Sequence, residues 1–236
     1  MRHRVTKVIA AAEPKGDVEA VRDLGKEAQK EGAQAITLLG SLTTKGAEPR
    51  EYARVLIALC ETQLPVFYVP GPEDAPFSEF LREAANIEVV YPDVHGVHAT
   101  FAMASGQLII TGMGGTIEDR PNATRDEVET LRYPGWELEY RLKFLRELKD
   151  YQKMFLFTTP PAHKGRHDIG SATVAEVIKT YSPEVVLVGG KEPRHEMLGT
   201  SLVVAPGSLA EGKFTLVDLK EREVATGTLS KLADAA

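Results

Sequence analysis

Cysteine, tryptophan and positive charge are the scarce components of this 236-residue chain, with one Cys, one Trp, and 28 Lys+Arg against 34 Asp+Glu. A lone cysteine excludes an internal disulfide. Cys60 closes the apolar stretch Val55-Leu56-Ile57-Ala58-Leu59-Cys60 and reads as core rather than nucleophile. The net charge of −6 argues against a general nucleic-acid binder, which needs a basic face to neutralise phosphates. No run reaches the ~18 apolar residues of a membrane helix. Met1-Arg2-His3-Arg4 leads into a short strand-like run rather than the apolar core of a secretory leader, so a cytoplasmic protein with no membrane partner is expected. Neither an interior linker nor a solenoid period is present. The hydrophobic share of 43% and charged share of 26% are those of an ordinary globular chain, which excludes disordered, collagen-like and coiled-coil classes. The length suits one α/β domain, expected over residues 1–228, with a loose tail at 229–236.

Short β-branched runs alternate with amphipathic stretches. Val5–Ala12 reads as a strand, followed by a helix capped by Asp17 with apolar positions Val18, Val21, Leu24 and Ala28. Ala35–Leu39 and Val66–Val69 read as strands around a helix over Arg50–Gln63, the pattern of a parallel sheet with crossover helices. In the middle, Ile87–Val90, Thr100–Ala104 and Leu108–Gly112 read as short antiparallel strands, and Trp136–Leu148 as a long helix. Met154–Phe157, Ala172–Thr180 and Val185–Val188 restore the strand–helix–strand alternation. Ser201–Ala205 and Phe214–Leu219 read as a hairpin-like pair. Polar loops rich in Gly or Pro follow the strands at 13–16, 40–41, 71–74, 158–161 and 189–191, where open α/β sheets place their sites.

These loops carry Glu13-Pro14-Lys15, Gly40-Ser41, Gly71-Pro72-Glu73-Asp74, Thr158-Thr159-Pro160-Pro161, and Gly189-Gly190-Lys191 with His195-Glu196 beyond; Ala205-Pro206-Gly207-Ser208 follows. In order and spacing this framework resembles the calcineurin-like metallophosphoesterases. That family reads Asp-x-His, Gly-Asp, Gly-Asn-His-Asp/Glu, His near Pro-Pro, Gly-His-x-His and Asn-Pro-Gly-Ser. The resemblance covers nearly the whole chain. It implies a four-layer α/β/β/α sandwich of two mixed sheets and phosphoester hydrolysis on two divalent ions (Mn, Fe, Ni or Zn), which polarise the phosphoryl oxygen and supply hydroxide.

By the same resemblance, the family's metal-ligand positions are occupied here by Glu13, Lys15, Ser41, Pro72, Thr158, Gly190 and His195, and Glu73 replaces the family histidine that supports the leaving group. Only His195 keeps its residue type and only Glu13 its chemistry. A charged Lys15 has no lone pair to donate, Pro72 has no side-chain acceptor, and a neutral Ser41 is a poor bridge between cations. No cofactor is therefore expected, and a small phosphate-type anion is the expected partner. Lys15, Gly16, Lys191 and His195 are its candidate contacts, with the Gly16 N–H assigned to a helix N-terminus that favours anions.

Two other readings stand beside this one. An active phosphoesterase for phosphate mono- or diesters would use a reduced metal site built from Glu13, Asp74 and His195. A structural or interaction protein would use none of these residues, and a homo-oligomer stays open, with the stretch Tyr133–Tyr140 around Trp136 as a candidate patch. His163 and His167 read as solvated loop residues within reach of the cleft, and His95 and His98 show no evident partner. Gly207–Lys213 fits the start of a phosphate-binding P-loop but lacks the hydroxyl residue and the following helix. Gly112-Met113-Gly114-Gly115 reads as a tight turn.

Overall fold

The computed structural model describes residues 4–162 and 170–229. Strands β1 (Lys7–Ala12), β2 (Ala35–Leu39) and β3 (Val66–Val69) are near-continuous apolar runs, as strands covered on both faces require. They pair in parallel, with Ile9 opposite Ile36 and Ile36 opposite Val66. The period-2 alternation decides their packing. Ile9 and Ala11 of β1 face α1 (Val18–Lys30), α2 (Pro49–Cys60) and α3 (Phe77–Val90), through Val21, Leu24, Leu56 and Phe80. Val8, Ala10 and Ala12 face the other way, toward a second sheet.

The remaining strands are β4 (Val94–Gly96), β5 (Phe101–Ala104), β6 (Leu108–Met113), β7 (Thr116–Glu118), β8 (Arg132–Pro134), β9 (Gln152–Phe157), β10 (Val185–Val188), β11 (Arg194–Leu198), β12 (Ser201–Ala205), β13 (Lys213–Asp218) and β14 (Glu223–Thr228). The first sheet has the order β14-β13-β1-β2-β3-β4 and the second β11-β12-β10-β9-β6-β5, while β7 and β8 form a separate pair. Leu39, Phe67, Ile110, Leu156, Leu187 and Val204 fill the space between the large sheets. Phe155, Phe157 and Val186 pack outward on α4 (Gly135–Arg141) and α5 (Ala172–Tyr181) through Leu138, Val174 and Ile178. Helices, sheet, sheet and helices make the α/β/β/α sandwich expected from the sequence.

Asp17 caps α1 as expected, its Oδ1 accepting from the Ala20 N–H at 2.9 Å. Four expectations are corrected. Ile87–Val90 is the end of α3 rather than a strand, because Phe80, Ala84 and Ile87 form one buried helical stripe while Val89 and Val90 are exposed. The helix at Trp136 lasts only to Arg141 and tightens into a 3-10 turn over Leu142–Glu147. The segments at 201–205 and 213–218 do not pair: β12 adds to β10 in one sheet, β13 to β1 in the other, and the turn Leu209–Glu211 carries the chain across. Leu229, assigned to a loose tail, is buried and its N–H donates to the Gly212 carbonyl at 2.8 Å. Among the described residues no helix is long and apolar enough to cross a membrane.

Candidate functional site

The strand-end loops are joined to one another, mostly through their main chains, into a closed ring. The Glu13 N–H donates to the Leu39 carbonyl (2.9 Å), and the Gly40 N–H to the Val69 carbonyl (2.8 Å). The Gly115 N–H reaches Pro70 (3.1 Å), the Thr158 hydroxyl reaches Gly115 (2.5 Å), and the Gly189 N–H reaches Phe157 (3.0 Å). Ser208 donates to Lys191 (3.0 Å), and Ala210 returns to Glu13 (3.2 Å).

The tightest crossing joins the loops after β2 and β3. A Cβ on Gly40 would overlap the backbone nitrogen of Gly71, and one on Gly71 would overlap Ser41, so glycine is required at both positions. The Gly40–Ser41 peptide is cis. Asp74, fully buried, clamps the crossing: its carboxylate accepts from the N–H groups of Gly71 (2.7 Å), Leu42 (2.7 Å) and Thr43 (3.0 Å). Burial pushes Asp74 up to about 6, against the opposing pull of those donors. Asp74 is thus a clamp and is corrected as a metal candidate, since both its oxygens are engaged. Ser41 is buried as well, and its hydroxyl accepts from the Glu73 N–H at 3.0 Å. Pro72 is exposed beside it.

The loop after β1 is held in an unusual conformation. Glu13 and Lys15 have φ of +49° and +48°, a region most side chains avoid and one that recurs at functional sites. The cause lies in the ring, because Lys15 and Gly16 donate backwards to the carbonyls of Ser41 (3.3 Å) and Leu42 (2.8 Å). The Gly16 N–H is therefore engaged within the protein, which corrects its expected role as an anion donor. Turning the loop this way brings the Lys15 Nζ to 3.4 Å from the Glu13 carboxylate.

Charge gathers on this side of the ring. Lys213 bridges Glu192 (2.7 Å) and Glu211 (2.8 Å). The Lys213 ammonium holds the Glu211 carboxyl below the usual carboxylate range, with smaller pulls from Lys191 and Lys15. Three lysines (15, 191, 213) and three glutamates (13, 192, 211) so form one charge cluster. Sequence reasoning linked Lys15 with Lys191 but missed Glu211 and Lys213, which lie in the segment dismissed as a false P-loop; the Gly at 207 and 212 that punctuate it, at φ of +92° and +74°, were the available signal.

The other predicted residues lie further round. The Thr158 hydroxyl donates to Gly115. Gly190 packs toward Ala205, where a Cβ would stand 3.0 Å from the alanine methyl. His195 is exposed on the edge strand β11 and, with Arg194, Pro160 and Pro161, lines a cavity of about 100 Å³. His163 and His167 lie outside the described residues. His98 does have partners: Nδ1 accepts from the Gly114 N–H at 3.0 Å, and Nε2 lies 3.2 Å from the Tyr133 hydroxyl. Burial, with a smaller contribution from Arg141, lowers the imidazole to about 3, so it is neutral and its proton lies on Nε2. His95 stacks on Phe67 at 5.4 Å.

The sequence matches the family described as metallophosphoesterase, calcineurin superfamily, over residues 1–229. The chain belongs to the calcineurin superfamily of metallophosphoesterases. It is 50% identical to the solved structure of TT1561 from Thermus thermophilus, which covers 95% of this chain and 99% of that one with a TM-score of 0.92. A second solved structure shares 28% identity over 95% and 99% of the two chains, with a TM-score of 0.86. An archaeal phosphodiesterase matches in fold, with 10% identity, coverage of 94% and 99%, and a TM-score of 0.52. No protein of curated function matches the sequence.

At the positions that the family resemblance assigns to metal ligands, the described side chains are already engaged or carry no donor. Lys15 presents an ammonium ion-paired with Glu13, Pro72 and Gly190 present no donor, and the Ser41 and Thr158 hydroxyls are engaged with main chain. Among the described residues no three His, Cys, Asp or Glu side chains converge as a metal site.

Removing the clamp by Asp74→Ala leaves buried N–H groups unpaired and is expected to lower unfolding free energy by about 3 kcal/mol, read by urea denaturation. Because the folded Asp74 holds its proton up to about pH 6, above its unfolded value, its contribution is full below about pH 4 and declines as pH rises to 6. Denaturation midpoints of wild type and Asp74→Asn should therefore draw together over that interval and run parallel above it. Lys15→Gly, which relieves a left-handed residue, should leave stability unchanged or raise it by about 1 kcal/mol in the same assay.

Proposed function

We propose that this metallophosphoesterase-family protein holds a small phosphate-type anion on Lys15 and Lys191 in place of the family's two metal ions. The observation that carries this reading is the placement of Lys15: the strained loop after β1, which the family resemblance gives to a metal ligand, holds its ammonium beside Glu13 and within the electrostatic reach of Glu211. An ammonium repels a divalent cation and attracts a phosphate oxygen through donors that a metal would otherwise replace. The carboxylates of Glu13 and Glu211 act in this reading as internal stand-ins for the anion. They neutralise the lysines in its absence, and an arriving phosphate competes with them.

The reading built on Glu13, Asp74 and His195 has less support, because the Asp74 carboxylate is enclosed and hydrogen-bonded by main chain while His195 lies on an edge strand beside Pro160 and Pro161.

Competition fixes the sign of the mutational effects. Glu13→Gln frees Lys15 and should tighten inorganic phosphate binding about three- to tenfold by calorimetry, whereas Lys15→Ala should weaken it at least tenfold. Equal affinity in wild type and both variants would exclude the site. Elemental analysis of protein purified without chelator should find well under one Mn, Fe, Ni or Zn per chain. Two firmly held ions would replace this reading with a metallophosphoesterase activity, to be assayed on aryl phosphate mono- and diesters.

A further inference from the structure

At the opposite end of the second sheet, where β9 begins and α5 finishes, Leu145, Arg146, Lys149, Lys153, Thr180, Tyr181 and Ser182 surround a cavity of about 320 Å³. That volume lies within the range of small-molecule sites. Among the described residues Arg146, Lys149 and Lys153 form no ion pair, and the three converge on this one cavity although the chain is acidic overall. Lys153 is the anomaly. It is buried, at 7% exposure, and its ammonium donates to only two acceptors, the carbonyls of Lys149 (3.0 Å) and Tyr151 (2.7 Å). Lys153 also lines the cavity, so its ammonium can offer a further donor there. Burial lowers the Lys153 pKa, and Asp150 opposes that shift only through a longer-range attraction.

An anion in the cavity would accept from the Lys153 ammonium and pair with Arg146 and Lys149, which stand exposed at the rim. The rest of the lining selects what carries that anion. Leu145 is buried core, and the Tyr181 ring, itself edge-on to Phe155 at 6.4 Å, gives the cavity a flat apolar wall. We propose that this cavity is a second anion site, distinct from the strand-end cleft, for a phosphomonoester bearing a planar ring system, of nucleoside monophosphate size. The phosphate sits on Lys153, Arg146 and Lys149 and the ring lies against Tyr181. A competing role for the same cations is to offset the carbonyl end of α5, whose last residues Thr180 and Tyr181 line the cavity.

The test is titration of the full chain with adenosine monophosphate and, separately, with inorganic phosphate, followed by calorimetry. The nucleotide should bind more tightly than phosphate. The Arg146→Ala/Lys149→Ala double variant, altered only at exposed positions, should weaken nucleotide binding at least tenfold with its unfolding midpoint unchanged. Tyr181→Leu should reduce the preference for nucleotide over phosphate. In the Lys15→Ala variant, which removes anion binding at the strand-end cleft, a nucleotide site sensitive to the double variant should remain, and this separates the two sites. No nucleotide binding at millimolar concentration, or binding unaffected by the double variant, would overturn the proposal. A double variant that loses stability but not affinity would assign the cations to the end of α5 instead.

Discussion

Everything at the strand-end face depends on one buried carboxylate and the crossing it clamps. Asp74 gathers three main-chain N–H groups from two loops that meet glycine against glycine. Two loops in backbone contact have no side-chain layer between them to adjust. The position of one therefore fixes the position of the next, and the hydrogen bonds from Glu13 and Gly16 carry that constraint to the loop after β1. The left-handed Glu13 and Lys15 persist because their neighbours on both sides are already fixed.

This arrangement separates shape from chemistry. The ring is closed mostly by peptide groups, which every sequence possesses, while the groups that could hold a metal or an anion project from it. Side chains on these loops can then be exchanged without dissolving the loops that carry them.

The layered fold was legible in the sequence where periodicity was clean. The runs at Lys7–Ala12, Ala35–Leu39, Val66–Val69 and Val185–Val188 are too apolar for anything but covered strands, and Asp17 marked its helix by a cap that the structure contains. Errors fell where short segments obey two periods at once. Ile87–Val90 is β-branched enough to look extended, yet the stripe through Phe80 and Ala84 makes it helical. The tail misled because adjacency in sequence suggested pairing, whereas β12 and β13 each complete a different sheet. At the site, residue types showed that Lys15 is charged and that Pro72 has no side-chain donor. What no motif could convey was which polar groups are already engaged: the Gly16 N–H, the Ser41 hydroxyl and the Asp74 oxygens all find partners across loops distant in sequence.

The glycine crossing also bears on how the molecule opens. Loops are ordinarily the least protected parts of a domain, exchanging their amide hydrogens through small local fluctuations. The amides of Leu42, Thr43 and Gly71 cannot do so singly, because each is bonded to a carboxylate sealed inside the crossing. Releasing one requires parting two main chains at once, which places these loop amides in the same exchange class as the strands beneath them. The strand-end face of this protein is, in kinetic terms, an extension of its core.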